Sequence, residues 1–384
     1  MKPSLCNVST CAYCNACTSV CKHHAISFVY DIYGYASPVI DWSKCVECGL
    51  CEKVCPVKNA PYGMSLPVAT YALYSKNKKT VAQSSSGGVF LELAQHTIDQ
   101  GGCVFGVISH NGRFEFACAN TYSELEPMCG SKYVQAEMGE ILIVAQQELR
   151  KGRKVLFTGT PCQIAALRNF LRRDYNNLLT TLEVICHGVP PKKVFDRCMN
   201  MIGIDHQSYE QVAYRDKRIW NFITRIKESG ARGWRTIFWQ NDIYMKLFMR
   251  TLTYKPVCYT CPFAKLPRIA DITMGDFWGI KSSPTFKKNQ FGTSVLLINS
   301  EAGQKLWEYV STRFVYEERP LDEATRINHN ILHPTPCPSN RDAVLADLFV
   351  LNKRNFVHKY GLQITLRNIV GYLLRLIKKI YAPR

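Results

Sequence analysis

Eight cysteines near the amino end of the chain form two runs with the same spacing, C-x2-C-x2-C-x3-C. The first run is Cys11, Cys14, Cys17 and Cys21, and the second is Cys45, Cys48, Cys51 and Cys55. These short gaps let three thiolates of one run reach three corners of an iron–sulfur cube, while the fourth corner is filled from a distance. The pattern predicts two [4Fe-4S] clusters. Cys55 completes the first set with Cys11, Cys14 and Cys17, and Cys21 completes the second set with Cys45, Cys48 and Cys51.

Zinc and disulfides are the competing interpretations of closely spaced cysteines. Zinc sites are built from two C-x2-C pairs and do not need a third and fourth cysteine at these gaps. The segment is similar to the two-cluster domain of bacterial-type ferredoxins. Lys22 stands where a proline often follows the first run, and Pro56 follows the second run. We therefore expect a small ferredoxin domain over residues 1–60; Cys6 lies outside the pattern and receives no role.

Four further cysteines could form a third metal site. Cys162 lies between a predicted strand and a predicted helix, and Cys186 follows the next predicted strand. If these two strands are parallel, both thiols lie at the same edge of the sheet, and the C-x2-C pair of Cys258 and Cys261 supplies two more. We expect this third set to hold a third [4Fe-4S] cluster, with a zinc site or buried structural cysteines as the alternatives left open.

Two loops have the composition of ligand-binding loops. Residues 83–88 (QSSSGG) lead into a predicted helix, where free backbone N–H groups could bind an anion; helix capping by the serines is the alternative. Residues 130–133 (GSKY) combine a small turn, a cation and an aromatic ring, which suits a phosphate and a ring but also an ordinary surface turn. Neither a G-x-G-x-x-G motif after a strand nor a G-x-x-x-x-G-K-[ST] motif occurs, so no Rossmann or ATPase site is predicted.

The elements that must position these groups follow from the hydrophobic pattern. Predicted strands at 68–74, 103–108, 154–157 and 178–185 alternate with helices that begin near residue 88 and cover 138–150 and 163–172. This alternation predicts an α/β domain with a largely parallel sheet. Between residues 209 and 239 the strands follow one another without helices, which indicates that this part is α+β or carries an antiparallel extension.

Length and composition limit the remaining possibilities. The chain has 384 residues, of which 47% are hydrophobic, so it can bury the core of at least one domain beyond the ferredoxin domain. Residues 59–67 are punctuated by proline and glycine and predict a domain boundary. The sequence shows no secretory leader and no apolar run of membrane-spanning length, so we expect a cytoplasmic protein.

The basic charge is concentrated in the carboxyl-terminal tail. The formal net charge is +18, and residues 351–384 contain eight basic residues and no acidic ones. Nucleic-acid binding does not follow from this distribution. Within the predicted tail of residues 336–384, apolar residues recur at helical spacing from 362 to 381. This pattern suits an amphipathic helix on the inner face of a membrane or on a partner, or a terminal helix packed on its own domain.

Six blocks, in order, resemble the signature blocks of the beta subunit family of deazaflavin (coenzyme F-420) hydrogenases and dehydrogenases. They are QSSSGGVF, GSKYVQ, LFTGTPCQIAALRNFL, VICHGVP, CYTCPF and ADITMGDFWGI, between about residues 71 and 299. The resemblance implies a flavin, usually FAD rather than FMN, beside a [4Fe-4S] cluster in an α/β domain, which we place at residues 67–335. It assigns flavin binding to Ser85, Ser86, Gly87, Gly88, Ser131, Lys132 and Tyr133, and the cluster to the third set, Cys162, Cys186, Cys258 and Cys261. It also marks Asp271, Gly275, Asp276 and Trp278 as a site wall without an assigned role.

These features predict an iron–sulfur flavoprotein oxidoreductase. Clusters pass one electron at a time, and a flavin converts between such electrons and a hydride on an organic molecule. We expect a redox partner protein such as ferredoxin, and a small organic substrate or a deazaflavin coenzyme. The alternative is a non-catalytic electron-transfer subunit of a larger redox complex. No catalytic residue is predicted, and His187, next to a ligand, could be a proton donor or a structural hydrogen-bond donor.

Overall fold

A computed structural model describes residues 2–61, 65–173, 175, 177–205, 209–216 and 221–363. The amino-terminal part is a small domain with one hairpin, in which β1 (Ile26–Tyr30) pairs with β2 (Ala36–Ile40) in antiparallel orientation. Two short helices, α1 (Ala16–Val20) and α2 (Leu50–Lys53), begin within the two cysteine runs. This small domain packs on the rest of the molecule, because Ala16 is fully buried in the same apolar cluster as Ile164.

The larger part is built on an eight-stranded sheet with the order β13-β3-β12-β11-β7-β6-β4-β5. Its strands are β3 (Ala69–Ser75), β4 (Cys103–His110), β5 (Arg113–Ala119), β6 (Val155–Gly159), β7 (Leu179–Val184), β11 (Ile272–Asp276), β12 (Ser294–Ile298) and β13 (Phe314–Glu318). The four central strands β11, β7, β6 and β4 are parallel, and the pairs on both sides of them are antiparallel. The α/β prediction is confirmed, with the parallel strands at the centre.

Helices cover both faces of this sheet and fill the connections. They are α3 (Lys78–Gln83), α4 (Val89–Asp99), α5 (Tyr122–Leu125), α6 (Ile141–Arg150), α7 (Pro161–Leu171), α8 (Lys192–Met201), α9 (Ile243–Met249), α10 (Glu301–Val310), α11 (Leu321–Thr325), α12 (Arg341–Val350) and α13 (Lys353–Lys359). Short 3-10 turns cover Glu126–Met128, Pro256–Thr260, Ser311–Arg313 and His329–Ile331. The predicted strands and helices from residue 68 to 185 agree with these bounds to within three residues.

The central strands are apolar on both faces, as parallel strands covered by helices usually are. In β6, for example, Val155, Leu156 and Phe157 are all buried. The helix that follows begins with a capping box between Thr160 and Gln163 and with proline at its first position. This local geometry places Cys162 in the first turn of α7, at the carboxyl edge of the sheet.

The predicted antiparallel extension is present as a separate sheet. It contains β8 (Tyr209–Asp216), β9 (Asn221–Glu228) and β10 (Trp234–Ile237), in the order β10-β9-β8. This sheet shares an apolar cluster with α8, α9, α12 and α13, and Tyr35 of the small domain belongs to the same cluster. The extension therefore contributes to the packing between the two parts of the molecule.

Only the beginning of the predicted amphipathic tail helix lies in the described part of the chain. Leu362 is buried, and its carbonyl accepts a hydrogen bond of 2.6 Å from Lys246 Nζ. The other residues of that prediction, from 364 onwards, lie outside the described residues. Within the described ranges, no helix combines the length and apolar character needed to span a membrane.

Candidate functional site

The two cysteine runs have the same backbone geometry. Tyr13 and Glu47, each two residues after the first cysteine of its run, both have a φ of 56°. Asn15 and Gly49, four residues after it, are also left-handed, with φ of 57° and 71°. A residue with a side chain rarely adopts this conformation. Its recurrence at matching positions of the two runs indicates that both loops arrange their cysteines in the same way.

The thiols of the first set lie close enough to influence one another. Burial raises the pKa of Cys17 to about 12, and the charges of Cys11 and Cys55 add to this rise. In the second set, burial raises the pKa of Cys51, with smaller contributions from Cys48 and Cys21. The structure therefore brings the last cysteine of each run next to the other run, as the crossed arrangement requires.

Cys6, which the spacing pattern left out, lies beside the first set. Its Sγ is 3.5 Å from Sγ of Cys55, and it is buried. The hydrogen bond between the two thiols lowers the pKa of Cys55. No short-range sequence signal marks this contact, because the two residues are 49 positions apart.

The third set comes together at the carboxyl edge of the parallel strands. Cys162 is in the first turn of α7 after β6, Cys186 follows β7, and Cys258 and Cys261 flank the end of a 3-10 turn. Strands β6 and β7 are parallel, as the argument for this set required. Burial raises the pKa of Cys186 well above its ordinary value, and the charges of Cys258, Cys162 and Cys261 raise it further.

A buried thiol with a raised pKa stays neutral unless a metal displaces its proton, and a metal-bound thiol is deprotonated outright. Burial also raises the pKa of Cys261, to about 12. In the described part of the chain, no three His, Cys, Asp or Glu side chains are arranged around a single metal ion.

The first and third sets are adjacent. Burial raises the pKa of Cys11 and of Cys14, and Cys162 adds to the rise in both cases. Cys162 also belongs to the same apolar cluster as Ala16 of the small domain. The order of the three sets is therefore second, first, third, from the exposed Cys48 to the interior.

A buried ion pair connects the two halves of the third set. Arg268 Nε is 2.5 Å from Oε1 of Glu183, three residues before Cys186, and both side chains are at most 1% exposed. The guanidinium also donates to the carbonyl oxygen of Phe263, two residues after Cys261, over 3.2 Å. The pair thus fixes the C-x2-C loop against the end of β7.

A cavity of about 260 Å³ opens beside the third set, and Cys186 lines it. Six of the seven predicted flavin contacts also line it: Ser85, Ser86, Gly88, Ser131, Lys132 and Tyr133. Gly87 lies just behind the wall, where its N–H donates to Ser294 Oγ over 2.9 Å. The structure thus brings the two predicted binding loops and the third cysteine set to one place.

The two binding loops contact each other directly. The backbone N–H of Ser131 donates to Ser85 Oγ over 2.8 Å, and Gly88 and Gly130 adopt left-handed φ values of 96° and 80°. Helix α4 begins at Val89, on the wall of the cavity, without a side-chain cap among the described residues. The first N–H groups of a helix commonly bind anions, so anion binding by this loop stays a prediction.

Lys132 is a half-buried lysine at this cavity. Its Nζ donates to the carbonyl oxygens of Pro127 and Cys129 over 2.8 and 2.9 Å, which occupies two of its three N–H donors. Burial lowers the pKa of Lys132 to about 7. An anionic group in the cavity would favour the charged form of this side chain.

The opposite wall carries an ion pair and stacked rings. Arg215 of β8 lies 2.5 Å from Asp276 Oδ2, and its guanidinium is 3.9 Å from the centre of the Phe222 ring. The rings of Phe222 and Trp278 are stacked at 6.2 Å. Since Asp276 and Trp278 line the cavity, the second sheet closes this side of it.

The structure corrects the predicted site wall at one residue. Gly275, Asp276 and Trp278 line the cavity, but Asp271 lies at the amino end of β11, on the opposite edge of the sheet. Its carboxylate accepts hydrogen bonds from Thr181 and from Ser300, both over 2.6 Å. Asp271 therefore lies outside this cavity, because the strand between it and Asp276 carries the two residues to opposite edges.

His187 lines the cavity next to Cys186. Burial lowers its pKa, while a side-chain hydrogen bond with Asn330 acts in the opposite direction. Its carbonyl oxygen accepts a hydrogen bond of 2.6 Å from Thr335. A neutral, hydrogen-bonded ring at this position fits the structural interpretation better than that of a charged proton donor.

Comparisons with known proteins find family matches for two parts of the chain. Residues 152–324 match the family model for the carboxyl-terminal part of the coenzyme F420 hydrogenase/dehydrogenase beta subunit, and residues 10–59 match that of a 4Fe-4S dicluster domain. The chain is also similar to a chain in the structure of the xenon-derivatised F420-reducing [NiFe] hydrogenase complex from Methanosarcina barkeri. That match has 16% sequence identity and a TM-score of 0.45, and it covers 77% of this chain and 93% of that one. No curated protein matches. Residues 152–324 of this chain therefore match the carboxyl-terminal part of the coenzyme F420 hydrogenase/dehydrogenase beta subunit, and a match to a 4Fe-4S dicluster domain precedes them.

Proposed function

We propose that this chain is an iron–sulfur flavoprotein oxidoreductase that moves electrons between the clusters of its small domain and a flavin in the cavity. The substrate is a small organic molecule or a deazaflavin coenzyme, and the electron partner is a redox protein such as ferredoxin. The proposed domains are residues 1–60, 67–335 and 336–384. The tail helix and its contact with a membrane surface remain predictions.

One observation carries this proposal: Cys186 belongs to the third cysteine set and also lines the cavity. A cluster held by that set would lie beside any molecule bound in the cavity. The first set lies on its other side, and the second set is the most exposed. The arrangement supports a path of single-electron steps from the surface to the cavity.

The residues around the cavity fit a flavin, usually FAD. The start of α4 and the Lys132 ammonium suit a phosphate, since both favour negative charge. Tyr133 and Trp278 provide rings on the cavity wall for a flat ring system. When bound, a flavin supplies the conversion between one-electron and two-electron transfer.

The chain's own residues then have three tasks. The hydrogen-bonded loops around Ser85 and Ser131 hold the cofactor in place. The ion pair of Arg215 with Asp276 excludes water from one wall. His187, kept neutral by burial, can accept or donate one hydrogen bond at the cavity without adding charge.

The decisive experiment measures iron, sulfide and flavin per chain in protein purified without oxygen. We expect about twelve irons and one flavin, and a loss of about four irons in Cys162→Ser. Cys198→Ser is the matched control, because Cys198 is buried in α8, outside the three sets. An unchanged iron content in Cys162→Ser would show that this residue is not a ligand. A flavin-free preparation that binds neither FAD nor FMN would overturn the proposal that the cavity holds a flavin.

A second candidate function is an electron-transfer subunit without a substrate of its own. The small domain exposes Ile32, Trp42 and Val46, whose exposed fractions are 69%, 48% and 57%. Val46 lies two residues before Cys48, the exposed cysteine of the second set. Such apolar residues around an outer cluster suit a partner protein. Turnover of a small acceptor with reduced ferredoxin, by this chain alone, would exclude this candidate.

A further inference from the structure

Lys255 makes contacts with every part of the proposed electron path except the second set. Its Nζ donates over 2.5 Å to the carbonyl oxygen of Ala12, which follows Cys11 in the first run. The same Nζ donates to Oε1 of Gln135, a residue of the cavity wall. The first hydrogen bond joins residues that are 243 positions apart in the sequence, and the second joins residues that are 120 positions apart.

The backbone of Lys255 makes two further connections. Its N–H donates to the carbonyl oxygen of Val189, three residues after Cys186, over 3.1 Å. Its carbonyl accepts from the N–H of Cys258 over 2.9 Å. One residue thus joins the first run, the cavity wall and both loops that carry the third set.

Among the described residues, no carboxylate balances the charge of this side chain. Lys255 is 4% exposed, and no Asp or Glu in the described part of the chain forms an ion pair with it. Both Nζ acceptors are neutral. A buried charge is costly unless an opposite charge lies nearby. Two cysteines of the sets are adjacent to its hydrogen bonds: Cys11 precedes Ala12, and the N–H of Cys258 donates to the carbonyl of Lys255.

We propose that Lys255 is a positioning residue that holds the first and third sets at a fixed separation and favours the reduced state of the clusters bound there. The inference rests on the proposed function. Each added electron makes a cluster more negative, so a nearby cation stabilises the reduced form, and the effect falls with distance. The clusters of the first and third sets are therefore easier to reduce than they would be without Lys255, and the cluster of the second set is little affected.

The test compares the reduction potentials of the clusters in three variants of the full-length protein. Lys255→Met removes the charge and keeps most of the side-chain length, whereas Lys255→Arg keeps the charge. Lys246→Met is the matched control, because Lys246 is also buried and donates to two carbonyl oxygens, those of Gln240 and Leu362. Each protein is titrated with dithionite under mediators and followed by electron paramagnetic resonance.

In Lys255→Met we expect about a tenfold lower ratio of reduced to oxidised cluster at a fixed potential, which is about 59 mV for one electron. This change should affect the clusters of the first and third sets, while that of the second set serves as internal reference. Lys255→Arg and Lys246→Met should stay within twofold of the wild type. Potentials in Lys255→Met that equal those of the wild type, or that shift equally in all clusters, overturn the proposal.

Iron content separates this result from a failure of the proposed function. If the wild type contains only eight irons per chain, the third cluster is not present, but the potential of the first cluster still tests the role of Lys255. If Lys255→Met loses iron, the test uses Lys255→Arg instead. The reduction potentials of this variant should match those of the wild type. A shift of the first cluster toward lower potential would contradict the proposed role of the charge.

Discussion

The backbone N–H of Ser131 donates a hydrogen bond to Ser85 Oγ over 2.8 Å and joins two loops that are 46 residues apart. Neither loop alone encloses a binding site. Together they form one wall of the cavity beside Cys186, with α4 beginning at its edge. This contact makes a specific prediction about cofactor retention.

Ser85→Ala should weaken flavin binding about threefold to tenfold, because one hydrogen bond is worth about 0.5–1.5 kcal/mol. The dissociation constant is measured from the quenching of flavin fluorescence on binding to flavin-free protein. Ser311→Ala is the control, since the Ser311 hydroxyl bonds to the carbonyl of Glu308 and Ser311 does not line the cavity. Equal weakening in both variants would argue against the contact between the loops.

The binding of a phosphate-bearing flavin should depend on pH through Lys132. Burial lowers the pKa of this side chain to about 7, so its ammonium is lost as the pH rises through that value. Between pH 6 and pH 8 we expect the dissociation constant to rise about fivefold to tenfold. Lys132→Met should bind more weakly at pH 6 and show a flat profile; a wild-type profile in this variant would contradict the prediction.

The titration of Lys132 should also affect the unfolding free energy of the flavin-free protein. The direction of this effect follows from the lowered pKa of Lys132. Between pH 7 and its ordinary pKa of 10.5, Lys132 is mostly neutral in the folded protein but protonated in the unfolded chain. The unfolded state then binds more protons, so the contribution of this group to stability increases with pH in that range. The difference in unfolding free energy between wild type and Lys132→Met, measured at pH 7 and pH 9, should therefore shift in favour of the wild type at the higher pH.

Breaking the buried pair of Arg268 and Glu183 should be strongly destabilising. Arg268→Met leaves an uncompensated buried carboxylate, and such a change typically costs about 3–5 kcal/mol. Chemical denaturation of the wild type and of the variant measures the difference. Arg326→Met is the matched control, because Arg326 pairs with Asp322 at the surface, where the loss should be below about 1 kcal/mol. A similar loss in both variants would contradict the prediction.

Substitution of Cys6 should affect the iron content differently from substitution of Cys55, whose thiol it contacts. Cys55→Ala should lose about four irons, because it removes a ligand of the first set. Cys6→Ala should keep them and lower the potential of that cluster, because the hydrogen bond between the two thiols disappears. Iron analysis combined with a redox titration distinguishes the outcomes, and loss of iron in Cys6→Ala would make Cys6 a ligand.

The sequence was informative where the chemistry depends on short spacing. Two identical runs of four cysteines and the strand patterns around Cys162 and Cys186 are local signals, and the structure brings the residues of each pattern near one another. The contact of Lys255 with Ala12 spans 243 residues, and no local pattern could reveal it. The error at Asp271 has a related cause. A contiguous motif was treated as one site wall, although β11 lies within it. The two ends of the motif are therefore separated by the length of this strand.

The left-handed residues of the cysteine loops were also beyond prediction. Glycine at position 49 is an expected choice for such a backbone, but Tyr13, Asn15 and Glu47 adopt it with full side chains. Only the surrounding structure can hold them there. The same reasoning applies to Arg215, which comes from a separate sheet and had no motif to mark it.

The exposed position of Cys48 has a consequence for the lifetime of the protein in air. Oxygen reaches a solvent-facing cluster before it reaches one enclosed by the protein, so damage should begin at the second set. The cavity and the proposed cofactor would remain intact at that stage but would no longer receive electrons from outside. On the proposed function, aerobic inactivation would then disconnect the protein from its redox partner long before it destroys the proposed substrate site.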